Sequence, residues 1–265
     1  MRSLVMLIKR NILIFVKDKA SVFFSLLSML IIIGLNAVFL NKTNVDGILE
    51  IILIDRDKAG ILVNSMVMAE IIVVNATTVT LGYILSSFIM GCVFCFITFF
   101  ISEVYIYLSG GYLLTFGKMI KVIFFIMVNV FSASCFVFLI TSLIHSSRAF
   151  SSISIIIGTL VGFIGGLYIP LGELPELVQK IVKCCPIIYG TSLMKGVFVE
   201  NLLTDVFSNI DTSALDSYKE YMAISISINN NIVSDIQKIG ILIGSGVLFA
   251  ILSVIIIKNK RVKDR

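Results

Sequence analysis

Two carboxylates stand alone in a long apolar stretch. Between Ala59 and Gly117, Glu70 and Glu103 are the sole charged residues. An ionised group at bilayer depth costs roughly 3 kcal/mol unless it faces a cavity or a partner. Either carboxylate could therefore line a substrate path or fix a helix contact. Glu70 could equally lie at the outer boundary of its span. Glu103 sits at the outer end of the next span, with Lys118 and Lys121 across the following turn. Other residues could in principle do chemistry. Cys92-Val-Phe-Cys95 has the spacing of a redox or metal pair, but no second pair and no His accompany it, so it reads as small polarizable packing in a helix. Adjacent Cys184 and Cys185 suggest no disulfide framework. Gly111-Tyr-Leu-Leu-Thr-Phe-Gly117-Lys118-Met119 comes nearest to a phosphate-binding loop. It has one residue too many between its glycines, and Met where Ser or Thr should reach the metal. With one histidine, His145, a His-based metal site or an HExxH intramembrane protease is not expected. No catalytic, cofactor-binding or metal-ligating residue is assigned. The chain is not expected to be an enzyme, and the energy for any active work must come from another subunit.

The elements that hold these residues follow from composition. Of 265 residues, 58% are hydrophobic and 14% charged, against roughly a quarter charged in soluble proteins. Mean hydropathy is +1.07. The solvent for most of the chain is lipid. Eleven of the 21 Lys and Arg residues fall in the N-terminal segment, the C-terminal tail and Arg148, opposed there by Asp18 and Asp264 alone. That asymmetry encodes orientation rather than a nucleic-acid patch: both termini are expected in the cytoplasm of a cell-membrane protein, which requires an even number of crossings.

A crossing takes about 20 apolar residues. Six are expected in one transmembrane domain over 1–265, at about 20–40, 65–81, 82–102, 122–144, 150–168 and 239–257. The fold class is an all-α integral membrane protein. Leu4, Ile8, Ile12 and Phe15 recur at helical spacing while Lys9, Arg10 and Lys17 lie off that stripe, so 1–19 reads as an amphipathic helix on the cytoplasmic surface. Residues 41–64 read as an external connection with a strand-like Ile48–Asp55. His145-Ser-Ser-Arg148 reads as a short cytoplasmic turn. Pro170, Gly172 and Pro175 break the chain after the fifth span. Residues 169–238 then form an external or re-entrant region, with short helices interrupted at Pro186 and a polar, acidic loop from Glu200 to Asp235. Gly158, Gly162, Gly165 and Gly166 recur about four apart and suit a close helix–helix or dimer face.

Taken in order, several of these segments resemble the type-two ABC exporter permeases. Lys9-Arg-Asn-Ile-Leu-Ile-Phe-Val-Lys-Asp-Lys19 followed by Val22-Phe-Phe-Ser25 resembles that family's amphipathic N-terminal helix. Gly82-Tyr-Ile-Leu-Ser-Ser87 resembles the start of its third span. Phe150–Leu174, with Gly162-Phe-Ile-Gly-Gly-Leu-Tyr-Ile-Pro-Leu-Gly-Glu-Leu174, resembles its fifth span and the break after it. Pro186-Ile-Ile-Tyr189 and Met194-Lys195 are similar to its external helices. The resemblance implies six spans, a second permease subunit in a homo- or heterodimer, and a separate ABC ATPase docking from the cytoplasm, with no nucleic acid and no cofactor on this chain. It implies export of a hydrophobic or amphipathic substrate by alternating access. One departure stands out. The family carries a charged cytoplasmic segment between spans two and three, and here no Lys or Arg lies between Lys58 and Lys118. Docking is then expected to rest on Lys9, Arg10, Lys17, His145 and Arg148. A non-transporting self-immunity factor or degenerate permease is the alternative reading.

Overall fold

The computed structural model describes residues 30–31, 33–35, 37–38, 41–51, 55–79, 84–144, 147–206, 212–228 and 231–263. The N-terminal segment 1–19, most of the span at 20–40, and His145 lie outside these residues. So do Lys9, Arg10 and Lys17. The described chain is mostly helical with almost no sheet. Among the described residues three helices are long and apolar enough to cross a membrane: Phe88–Leu108, Phe116–Leu143 and Asp235–Lys258. A fourth is reached if the bent pair Glu176–Lys183 and Pro186–Thr204 counts as one span.

The first helices are α1 (Asn41–Ile51) and α2 (Arg56–Val79). The strand-like reading of Ile48–Asp55 is thus corrected where the chain is described. Val45 and Ile48, three apart, are both buried, which is a helical face packing on a neighbour, and packing overrides the β-branched composition. The expected loop 41–64 is therefore largely helical, and α2 starts well before the expected 65. From Leu62 to Ile72 every side chain of α2 is buried, as befits a helix enclosed on all sides.

α3 (Ile84–Leu108) returns alongside α2. Cys95 Sγ approaches the Ile72 carbonyl at 3.6 Å, while Gly111, just past the end of α3, lies against Ile61. The two helices therefore form an antiparallel hairpin. α3 turns over at Gly110, whose φ of +84° is left-handed and cheap only for glycine. α4 (Phe116–Leu143) then runs back. α5 (Ser147–Ile164) follows, with Arg148 in its first turn.

A 3₁₀ turn (Leu171–Glu173), α6 (Glu176–Lys183) and α7 (Pro186–Val206) come next. Pro175 precedes α6 and Pro186 opens α7, the first-turn position where a missing N–H costs nothing. The two helices meet at 88°. α8 (Thr212–Tyr221), a hairpin of β1 (Ser227–Ile228) and β2 (Asn231–Ile232), and α9 (Asp235–Lys263) complete the order. Where it is described, the expected polar loop Glu200–Asp235 holds the end of α7, the helix α8 and the hairpin, joined by turns.

Two registers fix the packing. Ser132 faces Ser245 and Phe136 stacks near Phe249 at the same sequence separation, so α4 and α9 run parallel. A Cβ on Gly246 would lie 3.3 Å from the Ser132 Cα and 2.8 Å from the Phe131 ring, so this glycine sets how closely the two helices approach. α7 runs antiparallel to α4. Lys118 donates to Asn201 at 2.7 Å, and Gly190 lies against Asn129. By that register α7 begins opposite Ala133, about three-fifths of the way along an α4 about 42 Å long. The outward faces of α4, α5 and α9 carry exposed Ile123, Met127, Ile155, Ile156, Leu248, Ile251 and Val254. An apolar surface of that extent is at home in lipid.

Candidate functional site

Glu70 finds its partner on α7. It forms an ion pair with Lys195, and the two side chains are 4% and 1% exposed. Lys195 Nζ also donates to the Met222 carbonyl at 2.8 Å. Gly166, in the turn after α5, has φ +81°, and a Cβ there would sit 3.3 Å from Lys195 Nζ and 3.7 Å from Glu70 Oε1. Three elements far apart in sequence thus converge on one buried charge pair, and the glycine leaves the space for it. Burying both charges is tolerable because each answers the other; removing one partner strands the other.

The carbonyls beyond α8 complete the arrangement. Ser192 Oγ donates to the Ile224 carbonyl at 2.7 Å. Lys238, on α9, reaches within 3.5 Å of the same oxygen and pairs with Asp235 at 3.0 Å. Ala223 takes φ +55° in this turn. The turn is thereby strapped to α7 and α9 at the level of the Glu70–Lys195 pair.

Glu103 does different work. Its Oε2 accepts the Leu114 N–H at 3.0 Å and closes the α3–α4 turn, while Oε1 and the neighbouring Ser102 Oγ are buried without a hydrogen-bond partner among the described residues. Lys118, expected opposite it, pairs with Glu200 at 2.9 Å instead. The two carboxylates singled out in the sequence are therefore not brought into one site.

The glycines divide similarly. Gly162 is filled from within the chain by the Tyr168 ring, which also lies 4.9 Å from Phe163. Gly158 has open space beside it. Gly165 and Gly166 end α5, and Pro170 and Pro175 flank the 3₁₀ turn.

Two cavities adjoin this core. One of about 130 Å³ lies between α4, α5 and the start of α7, lined by Asn129, Ser132, Phe136, Leu160, Pro186 and Leu242. Asn129 is held by donating to the Phe125 carbonyl at 2.8 Å, so a polar amide sits fixed, with Ser132, in a mostly apolar wall. The second, about 770 Å³, opens where α4 and α9 begin, between charged and aromatic side chains.

No family model, curated protein or solved structure matches this chain. Function must rest on its own geometry. Cys92, Cys95 and Cys135 are buried free thiols, and Cys184 and Cys185 are free at the bend between α6 and α7. Among the described residues no group of three or more His, Cys, Asp or Glu side chains could hold a metal. Gly111 packs its backbone against Ile106 and Ile61, an apolar contact within the α3–α4 turn.

Sequence reasoning missed Lys195. Its signal was a lone cation inside the apolar run Ile188–Phe198, the same kind of anomaly that singled out Glu70. Two opposite charges each stranded in apolar helices are natural partners.

Proposed function

We propose that this chain is the membrane-spanning permease subunit of an ATP-driven exporter of the type-two ABC class. A separate ATPase docks from the cytoplasm, a second permease subunit completes the pair, and a hydrophobic or amphipathic substrate moves outward by alternating access. The termini face the cytoplasm, and α4 and α9 begin at the outer end. The observation that carries this reading is the α6–α7 pair. Between α5 and α9 the chain bends by 88° and sends α7 from the middle of α4 outward. A helix that begins part-way through a bundle leaves room at its base, here the small cavity lined by Asn129 and Ser132, and a path through the bundle would open there. Helix α6 and the first half of α7 fall in the stretch from Glu173 to Lys195, which the sequence suggests is external or re-entrant helices.

One observation favours the second reading, a non-transporting immunity factor or degenerate permease. α2 ends at Val79 and α3 begins at Ile84, which leaves no room for a charged docking segment. Co-expression with an ATPase encoded alongside separates the two. A complex that survives mild detergent and hydrolyses ATP is expected for the permease; a folded chain that emerges alone supports the second reading.

A further inference from the structure

The larger cavity carries an unbalanced charge. Its walls come from α4, α7, α8 and α9, and its lining includes Lys121, Lys219 and Lys238 against Glu200 and Asp235. Both carboxylates are engaged, Glu200 by Lys118 and Asp235 by Lys238. Lys121 and Lys219 are thus left without an anionic partner among the described residues. Lys238 is itself buried, so one ammonium is built into the wall rather than hanging from the surface. The rest of the lining is largely apolar, with Phe124, Leu203 and Leu215.

Ammonium groups above an apolar wall match a ligand with an anionic head and a hydrocarbon body. A lysine supplies three donors and a compact charge suited to phosphate oxygens. A cavity of about 770 Å³ is in the range that holds a small amphiphile. We infer that this cavity binds an amphiphile with a phosphate headgroup, the phosphate between Lys121 and Lys219 and the apolar part along Phe124 and Leu215. The phosphate could belong to a membrane lipid or to a soluble phosphate, and the test distinguishes them. Binding is read on the chain alone, so the outcome is independent of whether an ATPase docks.

The purified full chain in mild detergent is titrated with dihexanoyl phosphatidic acid, dihexanoylglycerol and inorganic phosphate, with affinity read calorimetrically. Saturable binding of the phosphatidic acid is expected, at least tenfold tighter than either fragment. Each surface lysine near an anionic headgroup contributes a several-fold gain, so K121Q/K219Q should weaken binding by about tenfold or more. K121R/K219R should keep it, and K180Q, on exposed α6 away from the cavity, should leave it unchanged. Phosphate binding as tightly as phosphatidic acid would overturn the amphiphile in favour of a soluble anion. Equal binding of dihexanoylglycerol would reduce the site to an apolar groove. Unchanged affinity in a folded K121Q/K219Q protein would remove these lysines from the site.

Discussion

At the residue scale, the Glu70–Lys195 pair is the feature whose loss should be felt most. Lys195→Met leaves Glu70 buried with no cation, and breaking one side of a buried pair costs about 3–5 kcal/mol. Unfolding in detergent should show that loss, and the double variant E70L/K195M should recover most of it. Equal loss in the single and double variants would show that the charges are not coupled. Gly166→Ala should cost about 1–2 kcal/mol, because φ +81° is strained for any residue with a Cβ, whereas Gly158→Ala, with open space beside it, should be neutral or slightly stabilising. Away from the spans, Tyr221 donates a hydrogen bond to Glu173. Burial, that hydrogen bond and the Glu173 charge push its phenol from 10 up to about 12. A raised phenol pKa means that the folded state favours the neutral form. Its contribution is complete below pH 10 and fades as pH rises through about 12. Phenolate absorbance should therefore show a late-titrating tyrosine that Tyr221→Phe removes.

At the element scale, the sequence was most informative where residue type alone decides. The apolar runs gave the helices now seen as α3, α4, α5 and α9, displaced by a few residues at their ends. Pro170, Pro175 and Pro186 gave the breaks around α6 and α7, since proline opens a helix readily and continues one poorly. What stayed hidden depends on long-range partners. α1 has a β-branched composition and becomes helical where Val45 and Ile48 find a buried face. Lys195 lies more than a hundred residues from Glu70, so no local pattern links them. The α4–α9 register was equally invisible, though it makes a sharp prediction. Gly246→Leu would drive a side chain into the Ser132 backbone. It should destabilise by about 1–3 kcal/mol, the usual cost of overpacking, while Gly244→Leu, with nothing close by, should not.

At the scale of the whole molecule, the described bundle places its ion pair, its strapped turn and its charged cavity in one layer near the start of α4 and α9. The exposed apolar faces of α4, α5 and α9 extend from there toward the other end. α7 crosses that boundary, anchored below by the small cavity and above by Lys118 and Asn201. In the exporter reading, ATP binding in the partner would change access to the base of this helix. The most direct test uses a variant with all five cysteines replaced and Ile187→Cys introduced at the small cavity. It is reconstituted in proteoliposomes with the ATPase that the exporter reading requires and labelled from outside with a charged thiol reagent. Labelling should change at least several-fold between the nucleotide-free state and a state trapped with a non-hydrolysable ATP analogue. Labelling that is the same in both states, in a complex shown to bind the nucleotide, would contradict the exporter reading.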